Sequence, residues 1–282
     1  MVLNKEIEKK ITEFVYLKPR TVQEIAFLIQ KNWRTADSYV EKIGTETGLI
    51  GSRTFRGGTR GALKVVFWNN IEKIHSGQFQ ERLLKQIESA RSKDDFSPMD
   101  IFQYVPENKK RAFSEIVECE SISKVQNLVG LFSKAEDQIL YFAGNMSFLE
   151  MSEKKKSILD IIEEAAKRGV SIKVLARVDI TALDNFKRMM EINHKIGREA
   201  IEIRHATQPL RGFVIDGKEI RLKEEKNPLN YKKSELKQKT RIFYEIYDEE
   251  WVEWMQKVFW NIFRTSIDAR QRVKDIEKIE KL

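Results

Sequence analysis

The sequence contains very little cysteine and histidine. Its one cysteine, Cys119, excludes a disulfide bond within the chain and a zinc site built from several cysteines. The three histidines, His75, His194 and His205, do not have the spacing of metal ligands. We therefore expect neither a metal site nor a cofactor.

Long apolar runs are also absent. No stretch approaches the roughly 18–20 apolar residues that a helix needs to span a bilayer, and residues 1–10 lack the apolar core of a signal peptide. Hydrophobic residues nevertheless make up 41% of the 282 residues, which suffices for two domains of ordinary size. We expect a cytoplasmic protein without membrane contact.

Acidic residues are missing from one basic stretch of the chain. None occurs between Glu46 and Glu72, although charged residues make up 33% of the sequence. The formal net charge is +8, which favours a polyanionic partner. A lysine-rich surface in contact with solvent would give the same composition. Charge alone therefore leaves both interpretations open.

The first fifty residues have the pattern of three short helices. Apolar residues recur at helical spacing over residues 4–17. Thr21 and Glu24 have the spacing of a capping box and predict the start of a second helix. Thr35 is predicted to cap a third helix that runs to about Gly48. Two short helices joined by a tight turn are typical of a helix-turn-helix.

A basic hairpin is predicted after the third helix. The β-prone runs 49–55 and 63–68 flank a glycine-containing tip at 56–61. Helices followed by such a hairpin resemble the winged helix-turn-helix domain of archaeal and bacterial regulators over about residues 4–70. The resemblance implies contact with double-stranded DNA through the third helix and the hairpin, or wing.

The spacing of apolar residues along the third helix indicates which of its side chains face outward and are candidates for DNA contact. Val40 and Ile43 are predicted to face the core, and Trp33 to pack rather than to touch bases. Asp37 and Glu41 either face the protein or accept hydrogen bonds from cytosine amino groups. The candidate DNA-binding residues are Lys31, Arg34, Thr35, Ser38, Tyr39, Lys42, Arg53, Arg56, Arg60 and Lys64.

Residues 71–118 are predicted to form a helical connector. A charged helix carries a narrow apolar seam from Phe79 to Ala90. A break at 92–98 precedes short helices at 99–105 and 109–119. We expect this seam to pack either against the connector's own domain or against a partner helix in a second copy of the chain.

Residues 119–282 alternate helix and strand patterns, which predicts an α/β sandwich. Predicted strands cover 138–143, 170–176, 200–205 and 241–247, and a hairpin turns at Asp216-Gly217. A long helix is predicted from about Asp248, and it is expected to be charged and exposed beyond Asp268.

The segment from Pro209 to Asp216 resembles the phospholipase D motif His-x-Lys-x(4)-Asp. Asp216 holds the aspartate position, but Arg211 replaces the lysine and Pro209 the histidine. His205 lies too far upstream to substitute. Because covalent catalysis needs a nucleophile, the resemblance implies a phospholipase D-like domain that is not an enzyme.

The combination of domains resembles the TrmB-type archaeal transcription regulators. This resemblance implies a DNA-binding regulator whose degenerate phospholipase D-like domain serves as effector and dimer module. It also implies a homodimer and a small-molecule effector, either a sugar or a phosphate-bearing compound. We consider two alternatives: a phosphodiesterase or nuclease with a divergent site, and a protein-interaction scaffold that docks through the winged helix.

Three residues are candidates for ligand contact in the C-terminal domain. Asn145 follows a buried strand, where ligands gather in α/β sheets. Arg211 could present its planar fork to a phosphate or a carboxylate, or pair with an internal acid. Asp216 could bind a ligand, or instead hold the hairpin turn by accepting from local amides. The seam at 79–90 and the aromatic stripe of the final helix, 251–263, offer apolar surface for the dimer.

Overall fold

The computed structural model describes residues 3–17, 19–56, 62–68, 77–117, 127–150, 152–153, 156–230 and 238–279. The chain divides into a first unit, Met1–Lys73, and a second unit, Ile74–Leu282. The segment that we predicted to be a connector lies mainly in the second unit. Over the described residues, no helix combines the length and hydrophobicity needed to cross a membrane.

The first unit is a winged helix-turn-helix. Its strands form an antiparallel sheet in the order β1-β3-β2, and its core lies between the three helices and this sheet. Its elements are α1 (Lys5–Leu17), β1 (Arg20–Thr21), α2 (Val22–Leu28), α3 (Trp33–Thr47), β2 (Ile50–Arg56) and β3 (Ala62–Trp68).

Side-chain caps fix the helix starts in this unit. The predicted capping box is confirmed: Thr21 Oγ1 accepts from Glu24 N at 3.1 Å, and Glu24 Oε2 accepts from Thr21 N at 2.7 Å. The prediction that Thr35 caps α3 is wrong. Asn32 is the cap, because its Oδ1 accepts from Thr35 N at 2.9 Å. The helix ends at Gly48, whose φ of 60° suits glycine.

The second unit is built on one mixed sheet, and its elements are listed here in chain order. They are α4 (Gln78–Ser89), α5 (Met99–Phe102), β4 (Lys110–Ile116), α6 (Leu128–Ser133), β5 (Gln138–Phe142), β6 (Ser152–Glu153), β7 (Lys156–Ser157), α7 (Ile158–Lys167), β8 (Ser171–Ala176), α8 (Leu183–Ile196), β9 (Ile201–His205), β10 (Gly212–Ile215), β11 (Glu219–Lys226), β12 (Thr240–Ile246), α9 (Glu249–Thr265), β13 (Ile267–Asp268) and α10 (Ala269–Ile279).

The sheet order is β13-β9-β8-β5-β10-β11-β12-β4. Strands β5, β8 and β9 are parallel, and every other pairing in this sheet is antiparallel. Helices α6, α7, α8 and α10 cover one face. Helix α9 covers the other face, where Phe142 of β5 meets Phe259 edge to face at 5.1 Å. The predicted α/β sandwich is confirmed.

The predicted helix at 109–119 is wrong, because most of this segment forms the edge strand β4. It pairs with β12, and the rings of Phe113 and Phe243 stack at 5.1 Å. Cross-strand pairing decides such a strand more than its own residues do. Residues 118–126, including Cys119, lie outside the described part of the chain.

The two apolar surfaces that we considered for either the chain's own core or a dimer interface are largely covered within the second unit. In the α4 seam, Leu83 and Ile87 are each 1% exposed, and the helix reaches α9 through an Asn261 Nδ2 to Glu88 Oε1 hydrogen bond of 2.8 Å. Most apolar side chains of the α9 stripe, from Trp251 to Phe263, are buried as well. These surfaces therefore build the core of one chain.

The long terminal helix that we predicted is interrupted. Helix α9 ends at Thr265, and β13 then pairs with β9 before α10 begins. The prediction that the chain beyond Asp268 is exposed is wrong for α10, because Ala269, Val273 and Ile276 are buried. Their spacing gives a charged helix one narrow apolar face.

Candidate nucleic-acid interface and a polar cavity

Helix α3 presents a polar row to solvent. Arg34, Ser38 and Lys42 follow one another at i, i+4 spacing, and all three are exposed. Lys31 is exposed in the turn before the helix, and Thr35 is half-buried. Lys42 lies 3.7 Å from Glu46, a surface pair of small energetic consequence. The row thus carries hydrogen-bonding groups and two cations on one helix face.

A lysine of the wing binds two acids of α3. Lys64 Nζ of β3 lies 2.6 Å from Asp37 Oδ1 and 2.8 Å from Glu41 Oε1. Burial works against the charge, but the hydrogen bonds to both carboxylates raise the pKa of Lys64 above its usual value. The side chain of Lys64 is only 13% exposed, so the structure places this DNA-contact candidate inside an ion-pair cluster.

Two predictions about α3 are wrong. Tyr39 was a candidate for the groove, but it is 4% exposed and belongs to the core of the first unit. It shares the buried face with Ala36, Val40 and Ile43, at i, i+3, i+4 and i+7 spacing from Ala36. Trp33, predicted to pack, is 43% exposed at the first turn of the helix.

The wing strands β2 and β3 pair from Ile50 opposite Trp68 to Arg56 opposite Ala62. This register confirms the predicted hairpin strands. The side chains of Arg53 and Arg56, and the whole of the tip with Arg60, lie outside the described residues. Their contact with DNA stays a prediction.

A cavity of about 420 Å³ opens in the second unit. It lies where the parallel strands β5, β8 and β9 end, beside the start of β10, which is the usual place for ligands in α/β sheets. The loops after β5, β8 and β9 contribute Gly144, Asn145, Arg177 and Gln208 to its wall. Polar groups from several loops therefore converge here.

Arg211 lines the cavity, as predicted for a ligand candidate. Its guanidinium Nη1 donates to the carbonyls of Gln208 at 3.0 Å and Leu210 at 2.6 Å. The guanidinium lies against Gly144, where a Cβ atom would be 3.1 Å from Arg211 Nε. Burial lowers the pKa of Arg211. Among the described residues, no carboxylate forms an ion pair with it.

Lys223 is a cavity residue that the sequence did not reveal. It lies on β11, and its backbone N–H donates at 2.8 Å to the carbonyl of Arg211, the residue before β10. The two cations are therefore neighbours across the hairpin. Burial, followed by the nearby charge of Arg241, lowers the pKa of Lys223 to about 8. Over the part of the chain that is described, its ammonium has no ion-pair partner.

The two acids beside Lys223 bind other groups. Glu225 pairs with Arg241 at 3.0 Å, Lys239 at 3.1 Å and Lys93 at 3.2 Å. Burial opposes its charge, but the bonds from Lys239 and Arg241 lower its pKa to about 2. Glu224 accepts from the hydroxyls of Tyr244 at 2.5 Å and Ser97 at 3.0 Å.

The loop between α4 and α5 forms one wall of the cavity. Asp95 folds this loop, since its Oδ2 accepts from the N–H groups of Arg91 and Ser92 at 2.8 Å each. The backbone hydrogen bond from Arg91 is the largest cause that lowers the pKa of Asp95. The pair between Lys93 and Glu225 ties the loop to β11. The sequence predicts only a break at 92–98, although the Ser92-x-x-Asp95 pattern is typical of an ordered turn.

Asp216 is structural, and its assignment as a ligand contact is wrong. Its carboxylate accepts from the N–H groups of Glu136, Asp137 and Gln138 at 3.0, 2.9 and 2.8 Å. These amides are distant in the sequence, so the alternative that Asp216 accepts from local amides is wrong as well. With φ values of 49° and 63°, Asp216 and Gly217 make the predicted hairpin turn. This turn is at the opposite end of β10 from Arg211 and the cavity.

Asn145 lines the cavity rim, as predicted, although its Oδ1 accepts from Ser147 N at 3.2 Å. Pro209, in the histidine position of the motif, is buried. His205 Nδ1 accepts from Val178 N at 2.9 Å, and burial lowers its pKa. No histidine occurs among the described residues that line the cavity.

Comparisons with known proteins find similarity among solved structures. No protein-family model matches the chain, and no curated protein matches it. The chain is similar to TrmBL2, an archaeal chromatin protein whose structure shows a novel mode of DNA binding, with 15% identity, 94% of each chain covered and a TM-score of 0.40.

Two further solved structures are similar to part of the chain. Nuc from Salmonella typhimurium, a phospholipase D family member, is 13% identical over 57% of this chain and 98% of its own, with a TM-score of 0.40. NucT from Helicobacter pylori is 10% identical over 57% of this chain and 99% of its own, also with a TM-score of 0.40. Both TrmB-like and phospholipase D-type structures thus occur among the matches, and no function follows from similarity at these scores.

Proposed function

We propose that this protein is a DNA-binding transcription regulator whose first unit contacts duplex DNA through α3 and the wing. The observation that carries the proposal is the exposed row of Arg34, Ser38 and Lys42 on α3, beside which Lys64 binds the acids Asp37 and Glu41. Without that lysine, two carboxylates would lie beside the polar row of α3. With it, one of their two negative charges is compensated, and Arg34 and Lys42 supply the positive charge of the exposed row.

The residue types of the row suit both parts of DNA recognition. Arginine and lysine bind phosphates or guanine edges, and serine donates to phosphates and bases. The short side chain of Ser38 between two long cations lets the helix approach a groove closely. A winged helix that places such a row in the major groove accounts for the geometry.

The test is fluorescence anisotropy with labelled duplex DNA over a series of salt concentrations. Replacing Arg34 and Lys42 together by alanine should weaken binding at least about tenfold and reduce the salt slope by about two, because each lost phosphate contact contributes about 0.9. The matched control is Lys9→Ala with Lys10→Ala on α1, which removes the same charge from another exposed face.

Equal losses in the two double variants would mean that net charge, not the α3 row, produces binding. Absence of binding by the wild-type protein to any duplex would reject the proposal. In that event the exposed Phe27, at 88%, and Trp33, at 43%, favour the second candidate, a winged helix that docks on a protein.

Regulation also needs sequence specificity and a suitable assembly. We propose a homodimer, since paired winged helices read two half-sites about one helical turn apart. Light scattering of the full chain should give twice the 33.2 kDa of one copy. Genome-wide mapping of bound DNA would test specificity, because uniform occupancy contradicts a regulator of particular genes.

We further propose that the second unit has no phosphodiesterase or nuclease activity. Proline occupies the position of the motif histidine, and His205 Nδ1 is held by a backbone N–H. Purified protein should not turn over generic diesters or DNA. Turnover that survives chelators but disappears in Arg211→Gln would overturn this proposal.

A further inference from the structure

We propose that Lys223, in the cavity of the second unit, binds a small aldehyde covalently, as a reversible imine on its side-chain amine. The ligand class is a neutral aldehyde that fits into the cavity volume of about 420 Å³. The site does not depend on DNA binding by the first unit, because every residue that lines the cavity belongs to the second unit.

The first argument is the position of the amine. Lys223 lies on β11, is partly buried and lines the cavity. Its neighbours in the strand, Glu224 and Glu225, bind other groups: Glu224 accepts from the Tyr244 hydroxyl, and Glu225 pairs with Arg241. Among the described residues, no carboxylate forms an ion pair with Lys223. Its amine is therefore not held by an acid and can react with a molecule that enters the cavity.

The second argument is the charge around the amine. Arg241 on β12, Arg211 before β10 and Lys93 in the loop between α4 and α5 are cations near Lys223, and Glu225 is the acid that opposes them. The other charged side chains of the cavity wall are Arg91, Asp94, Arg177 and Glu224. Burial, followed by the charge of Arg241, lowers the pKa of Lys223 to about 8. About a tenth of this amine is thus unprotonated at pH 7, and the unprotonated amine is the form that attacks a carbonyl carbon.

The third argument is the chemistry of the adduct. The nitrogen lone pair forms the C–N bond while the C=O π bond breaks, and one N–H proton moves to the oxygen to give a carbinolamine. The hydroxyl then leaves with the second N–H proton as water, and an imine remains. An aldehyde therefore needs neither a leaving-group site nor an oxidant or reductant.

The environment of Lys223 favours this product. An unprotonated imine carries no charge, so the adduct removes one cation from a partly buried wall in which Arg211 also has no ion-pair partner among the described residues. Burial disfavours an ammonium but not a neutral imine. A lysine in contact with solvent gains nothing comparable, because its ammonium is hydrated.

The test is reductive labelling of the full chain with propionaldehyde and sodium cyanoborohydride, which converts an imine into a stable propyl-lysine. Mass spectrometry of peptides measures the labelling of each lysine at low total modification. Lys218, exposed in the turn of the same hairpin, is the internal control. At pH 8 Lys223 should be labelled at least about tenfold faster than Lys218, because about half of an amine of pKa 8 is unprotonated but less than about 1% of an ordinary lysine is.

The pH dependence separates an unprotonated amine from better access alone. Between pH 8 and pH 10 the unprotonated fraction of Lys223 can only about double, whereas that of an ordinary lysine increases many-fold. The ratio of labelling at Lys223 to labelling at Lys218 should therefore fall over this range. Because both lysines meet the same reductant, the ratio does not depend on the reductant's own response to pH.

The size of the aldehyde and a variant test the role of the cavity. Oxidised dextran, a polymer too large for the cavity, should label Lys218 but not Lys223. Arg211→Gln removes a neighbouring cation, so the ratio for propionaldehyde at pH 8 should fall. Circular dichroism shows whether the variant is folded. If it is not, the ratio in the wild type, its pH dependence and the result with dextran decide.

Four results would overturn the proposal. One is similar labelling of Lys223 and Lys218 by propionaldehyde at pH 8. Another is a ratio that does not fall between pH 8 and pH 10, which would indicate an ordinary amine with good access. The third is labelling of Lys223 by oxidised dextran as fast as of Lys218. The fourth is modification of Lys223 by acyl donors but not by aldehydes, which would assign a different chemistry to this amine.

Discussion

The basic side chains of the two units differ in their exposure and in their ion-pair partners. In the first, cations are either exposed, as Arg34 and Lys42 are, or compensated, as Lys64 is by Asp37 and Glu41. Such cations are nearly neutral to stability and act on partners from outside. Exposed cations of this kind can bind a long polyanion, and the affinity for it decreases as the salt concentration increases.

In the second unit, Arg211 and Lys223 are partly buried, and no carboxylate among the described residues forms an ion pair with either of them. Burial lowers the pKa of both side chains. An uncompensated charge of this kind destabilises the fold and is typical of binding sites rather than of structural ion pairs. The number of basic residues therefore does not distinguish a surface for a polyanion from a site for a small molecule. The burial of each basic side chain and its ion-pair partners do.

The largest change in stability is expected for Asp216, which belongs to neither group of cations. Asp216→Ala should lower the free energy of unfolding by about 3–4 kcal/mol, because three backbone N–H groups lose a charged acceptor. Urea denaturation measures the change, and Lys218→Ala in the same turn is the control. If Asp216→Ala abolished the labelling of Lys223 by propionaldehyde without affecting stability, the motif aspartate would belong to the cavity after all.

Lys223→Met should stabilise the protein. The folded-state pKa of about 8 lies below the usual 10.5, so at pH 7 the folded state holds a charge that burial disfavours. At about 1.36 kcal/mol per pKa unit, the upper limit of the gain is about 3 kcal/mol. Between pH 8 and 10.5 the unfolded state binds more protons, so the stability of the wild type should rise with pH in this window.

Urea denaturation at pH 7 and pH 10 would check this prediction. Lys223→Met should be more stable than the wild type at pH 7, and the difference should shrink at pH 10. A loss of stability at pH 7 would show that Lys223 is compensated, and the contrast between the two units would fail.

The sequence predicted what short-range rules control. The capping box at Thr21, the Asp216-Gly217 turn and the strands of the wing each depend on a few neighbouring residues. The phase of α3 was judged from Val40 and Ile43 alone, so Tyr39, on the edge of the same buried face, was misplaced.

Long-range pairing explains what the sequence did not predict. Strand β4 exists because β12 offers it a partner more than a hundred residues later in the chain. The cavity joins Arg91, Arg211 and Lys223 from separate segments, and no local pattern marks the lysine in β11 as a partly buried residue of the cavity wall. Arg211 could be named only because it lies in a recognisable motif.

The wing arginines should affect DNA binding more than stability. Replacing Arg56 and Arg60 together by alanine should reduce the salt slope by about two and weaken binding about tenfold, similarly for all sequences. Fluorescence anisotropy at several salt concentrations measures both. Unchanged affinity for every duplex tested would place the interface elsewhere on the protein.

The smallest change in stability is expected for a substitution in the ion-pair cluster of Lys64, Asp37 and Glu41 in the first unit. Lys64→Met removes the cation that Asp37 and Glu41 share, so stability should fall by about 1 kcal/mol, the opposite sign from Lys223→Met. DNA affinity should also fall about fivefold, because two carboxylates then repel phosphates near the α3 row. Adding Asp37→Asn and Glu41→Gln to Lys64→Met should restore the affinity, as measured by anisotropy. If the triple variant stays as weak as Lys64→Met, Lys64 itself contacts DNA.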